Sequence, residues 1–221
     1  MTELSGLRRI GIYGGTFAPV HNGHVYVARS LLEYLRLDKL LIVPDRKPPH
    51  KKIAASDDPQ RRLEMLRLAF PEDDDPRITV SDYEIRADHP SYTALTLQHF
   101  AKPDTRLYFF CGTDMFETLD SWYHPEIIFR SAAIVHIRRE PTAEENRDAV
   151  THRFAELARH YEEKYGAEII QPDIRPYPLS STEVRRAVSQ GLEISHMVPA
   201  AVAAYIREHH LYEKEGGAGL T

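Results

Sequence analysis

The segment Lys39-Leu40-Leu41-Ile42-Val43 is apolar at every position after its lysine and is stopped by Pro44. A strand with one wet face alternates polar and apolar residues. An unbroken run buries both faces, as in a parallel sheet covered by helices on each side. Arg106–Cys111 and Ala132–Ile137 read the same way, and Arg8–Gly15 is a short β-like run ending in paired glycines. Segments of helical period lie between them. Val25, Ala28, Leu31, Leu32 and Leu35 share one helix face, and further helices are predicted around Gln60–Phe70, Thr93–Ala101 and Ala143–Tyr165. Shorter strands are expected near Arg77–Val80 and Ala167–Ile170, with helices after Ser180 and over Ala200–His209. Strands alternating with helices specify an α/β fold, a Rossmann-like doubly wound parallel sheet. No linker, repeat or low-complexity tract divides the chain, so residues 1–221 read as a single domain. Its α/β core covers roughly 8–190, a small C-terminal helical part roughly 191–212, and a frayed tail 213–221.

Charge limits the partners. Lys and Arg number 28 against 33 Asp and Glu, a net charge of −5. That argues against a general nucleic-acid or membrane-surface binder, which needs a basic excess, but leaves room for a basic pocket around one small anion. Cys111 is the lone cysteine, which excludes an internal disulfide and a cysteine-based zinc framework. Met1–Gly6 is polar, and no apolar run approaches the ~20 residues of a membrane span. The expectation is a soluble protein of a reducing compartment, the cytoplasm; a homo-oligomer is compatible with the sequence.

The loop Gly14-Gly15-Thr16-Phe17-Ala18-Pro19-Val20-His21-Asn22-Gly23-His24 carries the most chemistry. Its glycines let backbone N–H groups approach an anion, and the helix that follows adds unpaired donors and partial positive charge. It lacks both the G-x-G-x-x-G spacing and a Gly-Lys-Ser/Thr ending. His21 and His24, at i and i+3, can face one point. Alone, such a pair most often caps a helix or sits at the surface; after a glycine turn ending a first strand, it reads as a site. A metal is one use, but the spacing is tight and no acidic third ligand lies nearby. Hydrogen bonding to a polyphosphate is the preferred use, because opposite charge favours protonated imidazole and charge builds on phosphate oxygens during transfer. Far along the chain, Ser180 or Ser181 can cap another helix, and Arg185 lies one turn in with a planar fork suited to phosphate. Without the first motif, Ser180-Ser181-Thr182 would be only a cap. The proline-rich stretch Pro44–Pro49 is placed as a loop at the carboxyl end of the second strand, where open α/β sheets bind ligands.

Gly14–His24 resembles the signature G-G-T-F-x-P-x-H-x-G-H of the nucleotidyltransferase superfamily, and Leu179-Ser180-Ser181-Thr182-Glu183-Val184-Arg185 resembles its second motif. The residues between are similar to the bacterial nicotinate mononucleotide adenylyltransferases at Pro44–Lys51, the Arg61–Ala69 helix, Glu84 through Pro90-Ser91-Tyr92-Thr93, Gly112-Thr113-Asp114 and Trp122-Tyr123, and so, after the second motif, is the C-terminal Val198-Pro199…Tyr205-Ile206…Leu211-Tyr212. The resemblance spans nearly the whole chain in order. It implies transfer of AMP from ATP to nicotinate mononucleotide, giving nicotinate adenine dinucleotide and pyrophosphate in NAD biosynthesis.

The resemblance also implies roles. His21, His24 and Arg185 would be catalytic and face the ATP phosphates together with Ser181. Gly14, Gly15, Thr16, Phe17, Gly112, Asp114, Ser180 and Thr182 would complete the ATP site, Asp114 accepting from the ribose. Lys51, Thr93, Trp122, Tyr123 and Arg139 would bind the mononucleotide, Lys51 approaching its phosphate or the triphosphate and Trp122 stacking on the pyridine ring. Mg²⁺ is expected on substrate phosphates, with no protein metal ligand assigned. Taken alone, Trp122 could equally be core, Lys51 part of a solvated charge run, and Asp114 a helix cap. Ala18, Ala94-Leu95 and Arg138-Arg139-Glu140-Pro141 depart from the family's pattern, which leaves open whether Arg138 or Arg139 faces the site. Three rivals remain: transfer to nicotinamide mononucleotide or phosphopantetheine, a nucleotide-sensing module without turnover, and a zinc hydrolase built on His21 and His24.

Overall fold

The structure, a computed structural model, describes residues 6–46, 58–138 and 147–214. Six strands, β1 (Arg8–Gly15), β2 (Lys39–Pro44), β3 (Ile78–Val80), β4 (Thr105–Gly112), β5 (Ala132–Ile137) and β6 (Ile169–Ile170), form one sheet in the order β3-β2-β1-β4-β5-β6. Every neighbouring pair is parallel. The order reverses between β1 and β4, so a crevice opens beyond their carboxyl ends, at Gly15 and Gly112.

Side chains alternate across the sheet, as a two-residue period requires. Ile10, Ile12, Leu41, Val43, Leu107, Phe109, Cys111 and Ile134 enter one core. Leu40, Ile42, Tyr108, Phe110, Ala133 and Val135 enter the other. The first core is closed by α4 (Thr93–Phe100), α6 (Pro125–Ser131) and α7 (Arg147–Tyr165) through Leu97, Phe129 and Tyr161. The second is closed by α1 (Asn22–Tyr34), α2 (Pro59–Ala69), α8 (Ser181–Ser189) and α9 (Ala200–Glu208) through Leu31, Leu66, Val184 and Val202. At the middle of β1 a side chain would not fit: a Cβ on Gly11 would lie 2.7 Å from Leu37 and 2.9 Å from Phe110.

The predicted strands and long helices are present, with shifted ends. Helix α1 begins at Asn22 rather than Val25, because His21 adopts the extended N-cap conformation. Helix α2 starts where Asp58 accepts from the Gln60 N–H at 2.9 Å and Pro59 fills the first turn. Strand β6 is only Ile169–Ile170. The predicted start of α7 at Ala143 lies outside the described residues. Four short elements were not expected: α3 (Tyr83–Arg86), α5 (Thr113–Phe116), a 3₁₀ turn at Leu119–Ser121, and α6. No helix among the described residues is long and apolar enough to cross a membrane.

Candidate active site

The loop after β1 is shaped by what lies beneath it. Phe17 takes a left-handed φ of 50° and turns its ring into the core at 3% exposure. Its backbone, rather than its ring, therefore remains for a ligand. A Cβ on Gly15 would stand 3.1 Å from that ring, which is why glycine suits the end of β1. The Phe17 ring meets His24 edge-on at 5.0 Å, and His24 stacks on His21 at 3.7 Å. The two histidines thus share one point at the start of α1, as their spacing predicts.

Burial sets their charge. It pulls His21 down to about 4, only partly opposed by the Glu183 carboxylate, and pulls His24 well below the ordinary histidine value, helped by repulsion from His21. Both rings are neutral near pH 7 in the ligand-free protein. The His21 backbone N–H donates to His24 Nδ1 at 3.2 Å, which leaves the His24 proton on Nε2. The described residues offer His21 Nδ1 no hydrogen-bond partner.

Helix α8 meets this loop from the far end of the chain. Ser180 caps it in a reciprocal box with Glu183, whose carboxylate accepts from the Ser180 N–H at 2.8 Å. Ser181 Oγ donates to the Pro19 carbonyl at 2.9 Å, and Arg185 Nη1 donates to the Ala18 carbonyl at 2.6 Å. Arg185 also donates to Thr182 Oγ1 at 3.2 Å. The starts of two helices, with their partial positive charge, therefore converge on one loop.

A second group is formed by the residues at the start of α4 and those after α5. Tyr92, just before Thr93 at the start of α4, stacks on Tyr123 at 4.3 Å. Trp122 is half-buried, edge-on to Phe109 at 6.4 Å, and its Nε1 donates to Thr118 Oγ1 at 3.1 Å. Gly112, at the end of β4, has open space where a side chain would be, and Asp114 follows it, exposed, on α5. Lys51 and Arg139 lie outside the described residues; Arg138 is exposed. Among the described residues no three His, Cys, Asp or Glu side chains gather as a metal site.

Sequence reasoning gave no role to the polar residues supporting these loops. Arg62 is 0% exposed, Asp45 and Glu84 are buried, and Thr96 Oγ1 donates to Glu84 at 2.6 Å. Burial raises Glu84 to about 6, against the lowering effect of hydrogen bonds from Thr96 and Ser91. His136, at 3% exposure, bonds Thr113 Oγ1 and Gln171, each at 3.2 Å. The signal for Arg62 was present: with Leu66 and Ala69 it holds the i, i+4, i+7 positions of an apolar helix face.

A sequence profile described as cytidylyltransferase-like matches residues 12–187. A protein of Synechococcus sp. (strain JA-3-3Ab), named as a probable nicotinate-nucleotide adenylyltransferase, is 39% identical over 93% of this chain and 95% of its own. A Clostridium tetani protein of the same name is 32% identical over 93% of this chain and all of its own. This chain belongs to the cytidylyltransferase-like family, among the nicotinate-nucleotide adenylyltransferases. The fold agrees with that membership. The Plasmodium falciparum nicotinic acid mononucleotide adenylyltransferase complexed with NaAD superposes with a TM-score of 0.68 over 93% of this chain and 97% of that one, at 20% identity. In this adenylyltransferase-family chain, the glycine loop follows β1 and Gly112-Thr113-Asp114 ends β4, on the carboxyl edge of the sheet where the strand order reverses.

Proposed function

We propose that this protein transfers AMP from ATP to nicotinate mononucleotide, producing nicotinate adenine dinucleotide and pyrophosphate. What supports this reading is that two helix starts, carrying His21, His24, Ser181 and Arg185, converge on the loop after β1 in a way suited to a polyphosphate. Thr93, Trp122 and Tyr123, with Tyr92 stacked on Tyr123, are read as the second half-site, suited to a flat ring. A relative 39% identical over 95% of its own length carries the matching name.

A 5′-phosphate oxygen of the mononucleotide attacks the α-phosphorus of ATP. The P–O bond to the β-phosphate breaks, and its electron pair leaves on pyrophosphate. The nucleophile is already ionised at neutral pH, so the side chains need only position it and stabilise charge. The Nε2–H of His24 and the guanidinium of Arg185 are donors for the oxygens that gain charge. Mg²⁺ belongs to this proposal as a partner of the substrate phosphates, where it would offset their charge. Substrate oxygens and water are its expected ligands, so no side chain is assigned to it.

The carboxylate of nicotinate is to be read by donors at Thr93 and at the Trp122–Tyr123 backbone. Stacking on Trp122 cannot tell carboxylate from carboxamide, because the ring faces are alike. Donors aimed at a carboxylate oppose the NH₂ of an amide, and such sites can reject a mismatch by up to ~10⁴–10⁵. The test is a steady-state comparison of nicotinate and nicotinamide mononucleotides with ATP, read as dinucleotide and pyrophosphate. A strong preference for nicotinate is expected, with Trp122→Ala weakening both substrates while largely keeping their ratio. Agreement of the two kcat/KM values within about tenfold would remove the carboxylate pocket.

A further inference from the structure

A guanidinium with no exposure, on the apolar face of a helix, is a costly way to pack α2 against the sheet. Buried ion pairs are weak contributors to stability, and apolar residues of similar volume serve as well or better. What Arg62 achieves is geometric. Its Nη1 donates to the Thr16 carbonyl and its Nη2 to the Asp45 carbonyl, both at 2.6 Å. Nη1 also lies 3.3 Å from Asp45 Oδ1. Asp45 closes the ring: its Oδ2 accepts from Thr16 Oγ1 at 2.7 Å, and its N–H donates to the Gly15 carbonyl at 3.0 Å. One planar fork therefore grips two loops, the one after β1 and the one after β2.

Each loop serves a different half-site. The β1 loop carries Gly15 to Pro19, to which Ser181 and Arg185 are bonded. The β2 loop continues from Asp45 to Arg46, whose N–H donates to Ser91 Oγ at 3.0 Å, next to the Tyr92–Tyr123 stack. We propose that Arg62 is a positioning residue that fixes the phosphate loop against the β2 loop, and so sets the distance between the two substrates. This rests on the adenylyl-transfer reading above. A displacement in the two substrates' separation costs turnover steeply, because in-line attack depends on near-contact geometry. Binding of either substrate alone uses only one side of the clamp, and survives.

The test is Arg62→Lys, which keeps the charge but cannot fork onto two carbonyls. The expected result is a kcat loss on the order of 10–100-fold. The Kd of a non-hydrolysable ATP analogue and that of nicotinate mononucleotide, each measured alone, should stay within about threefold of wild type. Asp45→Asn removes the carboxylate that ties Thr16 Oγ1 to Arg62 and should lose kcat with the same split. Combined with Arg62→Lys it should cost less than the product of the two single losses, because both act through one clamp. Should Arg62→Lys fail to fold, Asp45→Asn decides alone: wild-type kcat, or a loss explained by weaker ATP-analogue binding, overturns the proposal. A folded Arg62→Lys enzyme with wild-type kcat overturns it as well. A wild-type protein that makes no dinucleotide overturns the underlying reading and the clamp with it, whereas an active wild type beside an unimpaired variant sinks the clamp alone.

Discussion

His21 and His24 meet the ligand-free crevice as neutral rings, since burial holds His21 near 4 and His24 well below the usual histidine value. A neutral imidazole offers one donor; a protonated one offers two and a charge. A polyphosphate beside the pair supplies the opposite charge that burial lacks, so the bound pKa values exceed the free ones. In the interval between free and bound values, ATP binding must take up protons, and affinity must rise as pH falls through it. Calorimetry of ATP binding near pH 6, in buffers of different ionisation enthalpy, should show more proton uptake by wild type than by His24→Ala. The same substitution should lower kcat on the order of 10²–10³ in a protein that still folds. The His24 ring packs on Phe17 at 5.0 Å and on His21 at 3.7 Å, so some loss of thermal stability accompanies the loss of turnover. Equal proton uptake together with near-normal turnover of the mutant would take His24 out of the site.

At the scale of elements, the crevice depends on a contact between the two ends of the chain, the start of α8 on the loop before α1. Arg185 holds Ala18 with one arm and Thr182 with another, so its fork is aimed before substrate arrives. Arg185→Lys retains the charge but not the paired donors. Its turnover should fall by about tenfold or more, and Arg185→Ala should fall further. A lysine variant as active as wild type would mean that charge alone matters there. Both helix starts were legible in the sequence, because glycine turns and Ser-Ser-Thr caps are local chemistry. So were the long strands, whose unbroken apolar runs leave little choice. Helix α6 was missed, although Pro125 marks its first turn, because seven residues are too few to display a helical period. The Arg62 clamp was missed for a different reason: Thr16 and Asp45 lie 46 and 17 residues from it, and no local pattern records a contact of that span.

The whole molecule places this chemistry at the reversal of its strand order, and it does so by burying titratable groups in the two layers around that edge. Their combined effect is a dependence of stability on pH whose sign can be worked out. His21 and His136 are both lowered to about 4, by burial first, with Glu183 opposing at His21 and Arg138 adding at His136. Between about 4 and the unfolded value near 6.5, the unfolded chain binds more protons at these rings than the folded one, so stability falls as pH falls. Glu84, raised to about 6, acts the other way: the folded state binds the extra proton, and its share of stability is lost as pH rises toward 6. The rings win. Each is worth about 3 kcal/mol against about 2 kcal/mol from Glu84, and His24 adds to their side. Asp120, pulled to about 2 by bonds from Tyr165, His160 and Lys164 that overcome its burial, extends the loss below pH 4. Thermal melts should therefore drop on the order of 10 °C between pH 7 and 4.5. His136→Gln, which keeps a polar partner for Thr113 but cannot titrate, should flatten that slope even if it lowers the melt at pH 7. A melting temperature level across this range, or a slope untouched by the substitution, would mean that these rings are already solvated in the native protein, and the neutral-histidine picture of the crevice would fall with them.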